Sequence, residues 1–257
     1  MSPFTIVIII VVIFLVVMLI SYMTSDPYTL QGVNNGQSLV TVQASSLATN
    51  GSNVPINNFA YSIWFYVNNW NYRYGAPKVI FGRMGAPPQP SAGTTGVNNC
   101  EGSDPCPSVV LGATENNIDI NLSCYTGLDN PPATGASTPQ TSTTHCSINN
   151  VPIQRWVNLI LSVYGRSMDV YIDGKLVKTC LLPGIANVNN SSDVYITPCG
   201  GFDGWTGKFQ YYPNPLNPQD AWNIYTQGYS SWLSMLNSYQ IQLSLVENGQ
   251  TQSSITI

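Results

Sequence analysis

Residues 154–182 read "QRWVNLILSVYGRSMDVYIDGKLVKTCLL", and their period decides the fold class. Val157, Leu159, Leu161 and Val163 alternate with Trp156, Asn158, Ile160 and Ser162. That is the two-residue repeat of a strand whose side chains point to opposite faces. "GRS" breaks the run and "MDVYI" resumes it. Asp173-Gly174 then supplies the two positive-φ positions that a two-residue type I′ hairpin requires, and "KLVKTC" follows. The result is a meander of three antiparallel strands. No stretch of comparable length carries the 3.6-residue period of a soluble helix.

Working upstream, "NFAYSIWFYVNNW" (58–70) places Phe59, Tyr61, Ile63, Phe65 and Val67 on one face and Ser62, Trp64 and Tyr66 on the other. "KVIFGR" (78–83), "SVVLGATE" (108–115) and "IDINLSCY" (118–125) read as further strands. Two Pro-, Gly- and Asn- or Thr-rich stretches, 84–107 and 126–144, read as long loops. Downstream, "DVYITPC" is a strand, "GGFDG" a tight turn and "WTGKFQYY" the next strand. Asn217 is then a good N-cap, Pro218 suits N1, and Asp220 lies in the first turn where a carboxylate favours the dipole. Trp222, Ile224 and Tyr225 are expected to face the sheets, and Gly228 to stop the helix. The fold class is therefore all-β, an antiparallel two-sheet sandwich with one short helix near its C-terminal end.

The N-terminal end is different in kind. Phe4 to Met23 contains no charge, and fifteen of the residues from Phe4 to Ile20 are Leu, Ile, Val or Phe. Twenty helical residues span about 30 Å, the thickness of a bilayer's hydrocarbon core. No Lys or Arg precedes this run, and "SYMTSDP" offers no A-x-A-like cleavage site, so it reads as a retained anchor rather than a signal peptide. With no basic residue near either end, the positive-inside rule gives no orientation. One apolar helix and strands without a lipid-facing band exclude a membrane β-barrel. The expected organisation is an anchor over 1–24, a tether with the first strands over 25–54, and a sandwich over 55–257 that includes a C-terminal strand pair.

Only 8% of the residues are charged, with a net charge of −4. Eight scattered Lys and Arg leave no electrostatic footprint for nucleic acid. A polar but uncharged surface suits a protein packed among other proteins, or one that meets neutral polar ligands such as sugars.

The run "GGFDGWTGKFQYYPNPLNPQDAWNIYTQG" (200–228), preceded by "RWVNLILSVYGRSMDVYIDGKLVKT", resembles the ending of the laminin-G-like, concanavalin A-like lectin and glucanase domain. The resemblance covers roughly residues 55–230 and is strongest over 154–228. Its closest flavour is the version carried by large eukaryotic DNA viruses of the chlorovirus and mimivirus kind, and "YQIQLSLVENGQTQSSITI" resembles their C-terminal strand pair. The resemblance implies a jelly roll and a membrane-tethered virion protein. On that reading the chain is a minor capsid component, sitting in an internal viral membrane with its domain toward the shell.

The chemistry is mostly one of exclusion. Glucanases of this superfamily pair carboxylates along one strand, and the nearest approach here is Glu115 with Asp119. Four residues apart on a strand is about 13 Å, against roughly 5 Å for a retaining pair. One histidine, His145, beside Cys146 in an expected loop, and no G-x-S-x-G elbow leave a catalytic triad nowhere to assemble. "GRMGAPP" lacks a phosphate-loop lysine. No cofactor is expected. A structural Ca²⁺ is the one metal weighed, since Asp119, Asn121, Asp129 and Asp203 are suitable types, but no spacing singles them out. Zinc is disfavoured because no C-x-x-C occurs. Of six cysteines, Cys100–Cys106 is the favoured disulfide, while Cys124 and Cys180 read equally as free core thiols. Sequons stand at Asn50, Asn121, Asn189 and Asn190.

Trp70, Tyr72, Tyr74, Trp205, Tyr211, Tyr212, Trp232 and Tyr239 exceed what a sandwich interior needs, and are the candidate contact residues. Two non-enzymatic readings stand. One is a virion protein joining the bilayer, through residues 4–23, to capsid neighbours. The other is a membrane-displayed module that binds glycans.

Overall fold

A computed structural model describes residues 10–19, 26–47, 57–85, 100, 104–127, 140–229, 242–247 and 250–256. The chain divides into two compact units, Tyr28–Tyr229 on one hand and Met1–Pro27 with Ser230–Ile257 on the other. The first of these is the sandwich. One sheet runs β1 (Thr29–Gln31), β13 (Asp203–Tyr212), β4 (Phe59–Asn69), β9 (Trp156–Tyr164), β10 (Ser167–Ile172) and β11 (Lys175–Leu181), with β2 (Asn34–Asn35) also paired to β13. The second runs β3 (Val40–Val42), β12 (Val194–Ile196), β5 (Lys78–Arg83), β6 (Ser108–Leu111), β7 (Asn117–Tyr125) and β8 (Thr141–Asn149). Every named strand pair is antiparallel. The all-β, two-sheet fold class stands.

The core is the face that alternation assigns. Phe59, Tyr61, Ile63, Phe65 and Val67 of β4 and Val157, Leu159, Leu161 and Val163 of β9 meet Ile80, Val109, Leu111, Ile118, Ile120 and Leu122 of the second sheet, all at most 2% exposed. Each such side chain taken from water stabilises the fold by about 1.5–3 kcal/mol. The hairpin turn is as its sequence demands, with φ of +50° at Asp173 and +71° at Gly174. A Cβ on Gly174 would sit 3.0 Å from Tyr225 Cβ and 3.1 Å from the Trp222 ring, so the turn needs glycine for space as well as for φ.

The other face of the first sheet is covered by α2 (Pro218–Thr226), the helix that follows α1 (residues 10–19) in chain order. Asn217 Oδ1 accepts from the Gln219 and Asp220 amides while Asp220 Oδ2 accepts from the Asn217 amide, a full capping box. Ser162 fastens the approach to the helix, exchanging two hydrogen bonds with the Leu216 backbone at 3.0 and 2.8 Å. Ala221 and Ile224 bury against Ile160 and Tyr171. Trp222, expected on that face, is instead 43% exposed, because a helix seated on 221 and 224 turns 222 outward. Gly228 does close the helix, at φ +79° with its amide on the Tyr225 carbonyl.

Three other expectations are corrected. Thr141–Thr144, read as loop, open β8, where Tyr125 pairs Thr141 and Asn121 pairs His145. His145 is thus in mid-strand. Glu115 lies in the turn between β6 and β7, so it shares no strand with Asp119. The Cys100–Cys106 bridge is replaced by Cys100–Cys199 and Cys146–Cys180. Cys106 points between the sheets, whereas Cys100 packs on the outer face of the second sheet with Val79, Met84, Val110 and Tyr195. A sheet separates the two thiols. Cys106 and Cys124 are free and buried.

In the other unit, residues 10–19 form α1, whose ten residues are all apolar; nine of them are 47–61% exposed. No helix among the described residues is long and apolar enough to cross a membrane, and residues 4–9 and 20–23 of the expected span lie outside them. β14 (Gln242–Glu247) and β15 (Gln250–Thr256) pair as an antiparallel hairpin.

Candidate ligand-binding groove

β7 alternates Ile118, Ile120, Leu122 and Cys124, each 0% exposed, with Asn117, Asp119 and Asn121 on the outer face of the second sheet. β8 brings His145 and Thr143 beside them. The segment entering β6 supplies Asp104 and Pro105, held against β7 by the bond from the Ser123 amide to the Pro105 carbonyl at 2.7 Å. Together with Pro77 and the Gly112-Ala113 turn, these residues line a groove of about 680 Å³. That volume is of the size that small-ligand sites have.

Its floor is a chain of polar contacts. His145 Nδ1 is 2.9 Å from Asn121 Oδ1, its cross-strand partner, and His145 Nε2 is 3.4 Å from Asp119 Oδ1, the diagonal neighbour. Asn117 Nδ2 reaches both Asp119 oxygens at 3.5 Å. Both imidazole nitrogens therefore face side-chain oxygens. The His145 side chain is 59% exposed and that of Asp119 25%. The carboxylate, amide, imidazole and threonine hydroxyl present both donors and acceptors to an incoming ligand. Pro77 and Pro105 give the groove apolar walls.

Among the described residues no group of three or more His, Cys, Asp or Glu comes together to hold a metal. Of the types weighed for Ca²⁺, Asp119 and Asn121 share the groove, Asp203 lies on the other sheet and accepts from Asn68 Nδ2 at 3.1 Å, and Asp129 is outside the described residues.

The candidate contact aromatics scatter. Tyr211 is core, 3% exposed. Trp70 packs against the core and lies 5.0 Å beneath the Lys78 ammonium, whose pKa burial pushes down, with the charge of Arg73 adding. Tyr72 donates to the Gly200 carbonyl at 3.1 Å, and Tyr212 stacks at a tilt on Tyr28. Tyr74 and Trp205 are exposed, while Trp232 and Tyr239 lie outside the described residues. None of the six described ones lines the groove. Asp119 and Asn121 were visible as the polar half of "IDINLS", but their meeting with His145 depends on the register of an edge strand that the sequence hid.

No protein-family profile matches the chain, and no curated protein sequence matches it. Solved structures do match in fold. The receptor binding domain of the botulinum neurotoxin C/D mosaic serotype aligns at TM-score 0.50 and 11% identity, over 76% of this chain and 42% of that one. The binding domain of botulinum neurotoxin DC, solved in complex with rat synaptotagmin II, aligns at 0.48 and 14%, over 74% and 40%. This chain thus spans about two fifths of the structures it matches. At such identities the likeness is one of fold alone, a two-sheet β-sandwich.

Proposed function

We propose that the chain is a non-catalytic glycan-binding module displayed from a membrane by its N-terminal segment. The groove carries this reading: Asp119, Asn121, Thr143 and His145 offer paired donors and acceptors on an open, rigid sheet face. That is what vicinal hydroxyls require, and the chain's 8% charge suits a neutral partner. The all-round apolar α1 supports membrane attachment, with residues 4–23 as the span. The full chain in lipid nanodiscs, screened on a glycan array, tests it. Binding should appear and weaken about 10- to 100-fold in Asp119→Ala and Asn121→Ala, the effect of losing one or two hydrogen bonds to a charged or polar anchor. Unchanged binding in both variants would remove the groove from the function.

A second reading makes the chain a structural virion protein, a minor capsid component between an internal membrane and the shell. The resemblance of residues 154–228 and a surface poor in repelling charge favour it. Cross-linking mass spectrometry on purified particles tests it. Reproducible links from Tyr28–Tyr229 to capsid proteins are the expected result, and their absence would end that reading.

A further inference from the structure

The outer face of the first sheet carries aromatic rings that the groove does not use. Trp205 of β13, Tyr66 of β4 and Trp156 of β9 are register partners across three adjacent strands. Their rings meet edge to face, at 5.6 Å between Trp205 and Tyr66 and 5.9 Å between Tyr66 and Trp156. Tyr229, just past α2, lies flat on Trp156 at 4.3 Å and 10°. It also touches Trp64, which stacks on Tyr225 of the helix. Trp64 is 5% exposed and is packing, but Trp205 at 42% and Tyr229 at 37% keep much of their surface in water.

A polar row runs beside the rings, one step along the same strands. Asn68 Nδ2 donates to Asp203 Oδ2 at 3.1 Å, and Gln154 Nε2 donates to the Asn68 carbonyl at 3.5 Å. Asn35 pairs with Trp205 at the outer edge. Charges on this side are few: Arg155 is paired with Asp173, and Lys208 Nζ donates to the neutral Gln227 Oε1 at 2.7 Å.

An aromatic strip with an amide-rich border of little net charge matches one chemistry, a neutral sugar chain. Its C–H faces stack on rings while its hydroxyls pair with amides. A bilayer surface asks for Lys and Arg around the rings, and a protein hot spot favours arginine and methionine among them. We propose that this face binds an extended neutral glycan along the Trp205–Tyr66–Trp156 row, a second glycan contact separate from the groove. The inference takes its ligand class from the proposed function but rests on different residues.

The test titrates cellohexaose, laminarihexaose, mannohexaose and xylohexaose into the nanodisc-held full chain, reading tryptophan fluorescence and calorimetric heat. At least one sugar should bind with a shift in emission. Trp205→Ala should weaken that binding about tenfold, the loss of one stacked ring, while Trp205→Tyr retains most of it. The emission shift, which reads the Trp205 face and not the groove, should persist in Asn121→Ala even where heat from the groove is lost. No binding by any of the four sugars overturns the proposal, as does binding that Trp205→Ala spares. Binding lost in Asn121→Ala alone overturns it too, yet leaves the groove reading standing. A Trp205→Ala chain that loses liposome or protein binding but no sugar binding assigns the face to another partner and also overturns it.

Discussion

Cys106 and Cys124 keep their thiols in the core beside Tyr61, 1% exposed, and Arg83, 4% exposed. Arg83 has no carboxylate within ion-pair reach among the described residues; Nε and Nη2 donate instead to the carbonyls of Ser192 and Asn190 at 3.1 and 3.2 Å. Burial pushes the Cys106 thiol and the Tyr61 phenol well above their ordinary ranges and raises the Cys124 thiol, and the Arg83 charge only partly pulls Cys106 and Tyr61 back. A raised pKa means that the folded state holds the proton more tightly than the unfolded one. The stability these groups contribute is therefore complete below the unfolded thiol value of about 8.5 and the phenol value of about 10, and it is lost as pH climbs past them. The urea midpoint should be flat from neutrality to about pH 8 and fall beyond it. Iodoacetamide at pH 8 should label neither thiol in the native chain and both once denaturant is added. Rapid native labelling, or a midpoint that rises with pH, would contradict the buried neutral thiols.

The elements differ in how they are held. β11 ends the first sheet and β8 ends the second on the same side, and Cys146–Cys180 staples these two open edges together. Lys178 Nζ adds a bond to the Ser147 carbonyl at 2.7 Å. Cys100–Cys199 closes a longer loop, 99 residues against 34. By loop-closure entropy the bridges are worth about 4.7 and 3.8 kcal/mol. Cys146→Ser/Cys180→Ser should accordingly lower the unfolding free energy by roughly 3–4 kcal/mol, and Cys100→Ser/Cys199→Ser by somewhat more, as read from urea titrations. A loss under about 0.5 kcal/mol for the edge pair would mean that the edges hold without their staple. Neither pairing was legible in the sequence, because both partners are brought together only by sheet order. What was legible was local. Asp173-Gly174, the Asn217 cap with Pro218 at N1, and the alternation of β4 and β9 each carry their whole cause within a few residues. β8 hid because an edge strand half in water needs no apolar alternation: "TSTTHCSIN" is hydroxyl-rich, with Cys146 alone fully buried. The groove was lost with it, since His145 meets Asp119 and Asn121 only through that strand's register.

At the scale of the whole molecule, all three buried clusters and both disulfides lie within Tyr28–Tyr229. So do the groove and the aromatic row. Among the described residues, the buried core and both surfaces proposed to bind glycans therefore sit in one unit, while the segment proposed to enter a bilayer belongs to the other. A chain cut to residues 28–229 should therefore fold on its own, with both disulfides intact by peptide mapping. Its unfolding free energy should lie within about 0.5 kcal/mol of the full chain's, the scatter expected when the cooperative unit is left whole. It should lose flotation with liposomes, because the apolar run that favours a bilayer is gone. A 28–229 chain that aggregates, or that unfolds several kcal/mol more easily, would show instead that residues outside this range belong to the sandwich's cooperative unit.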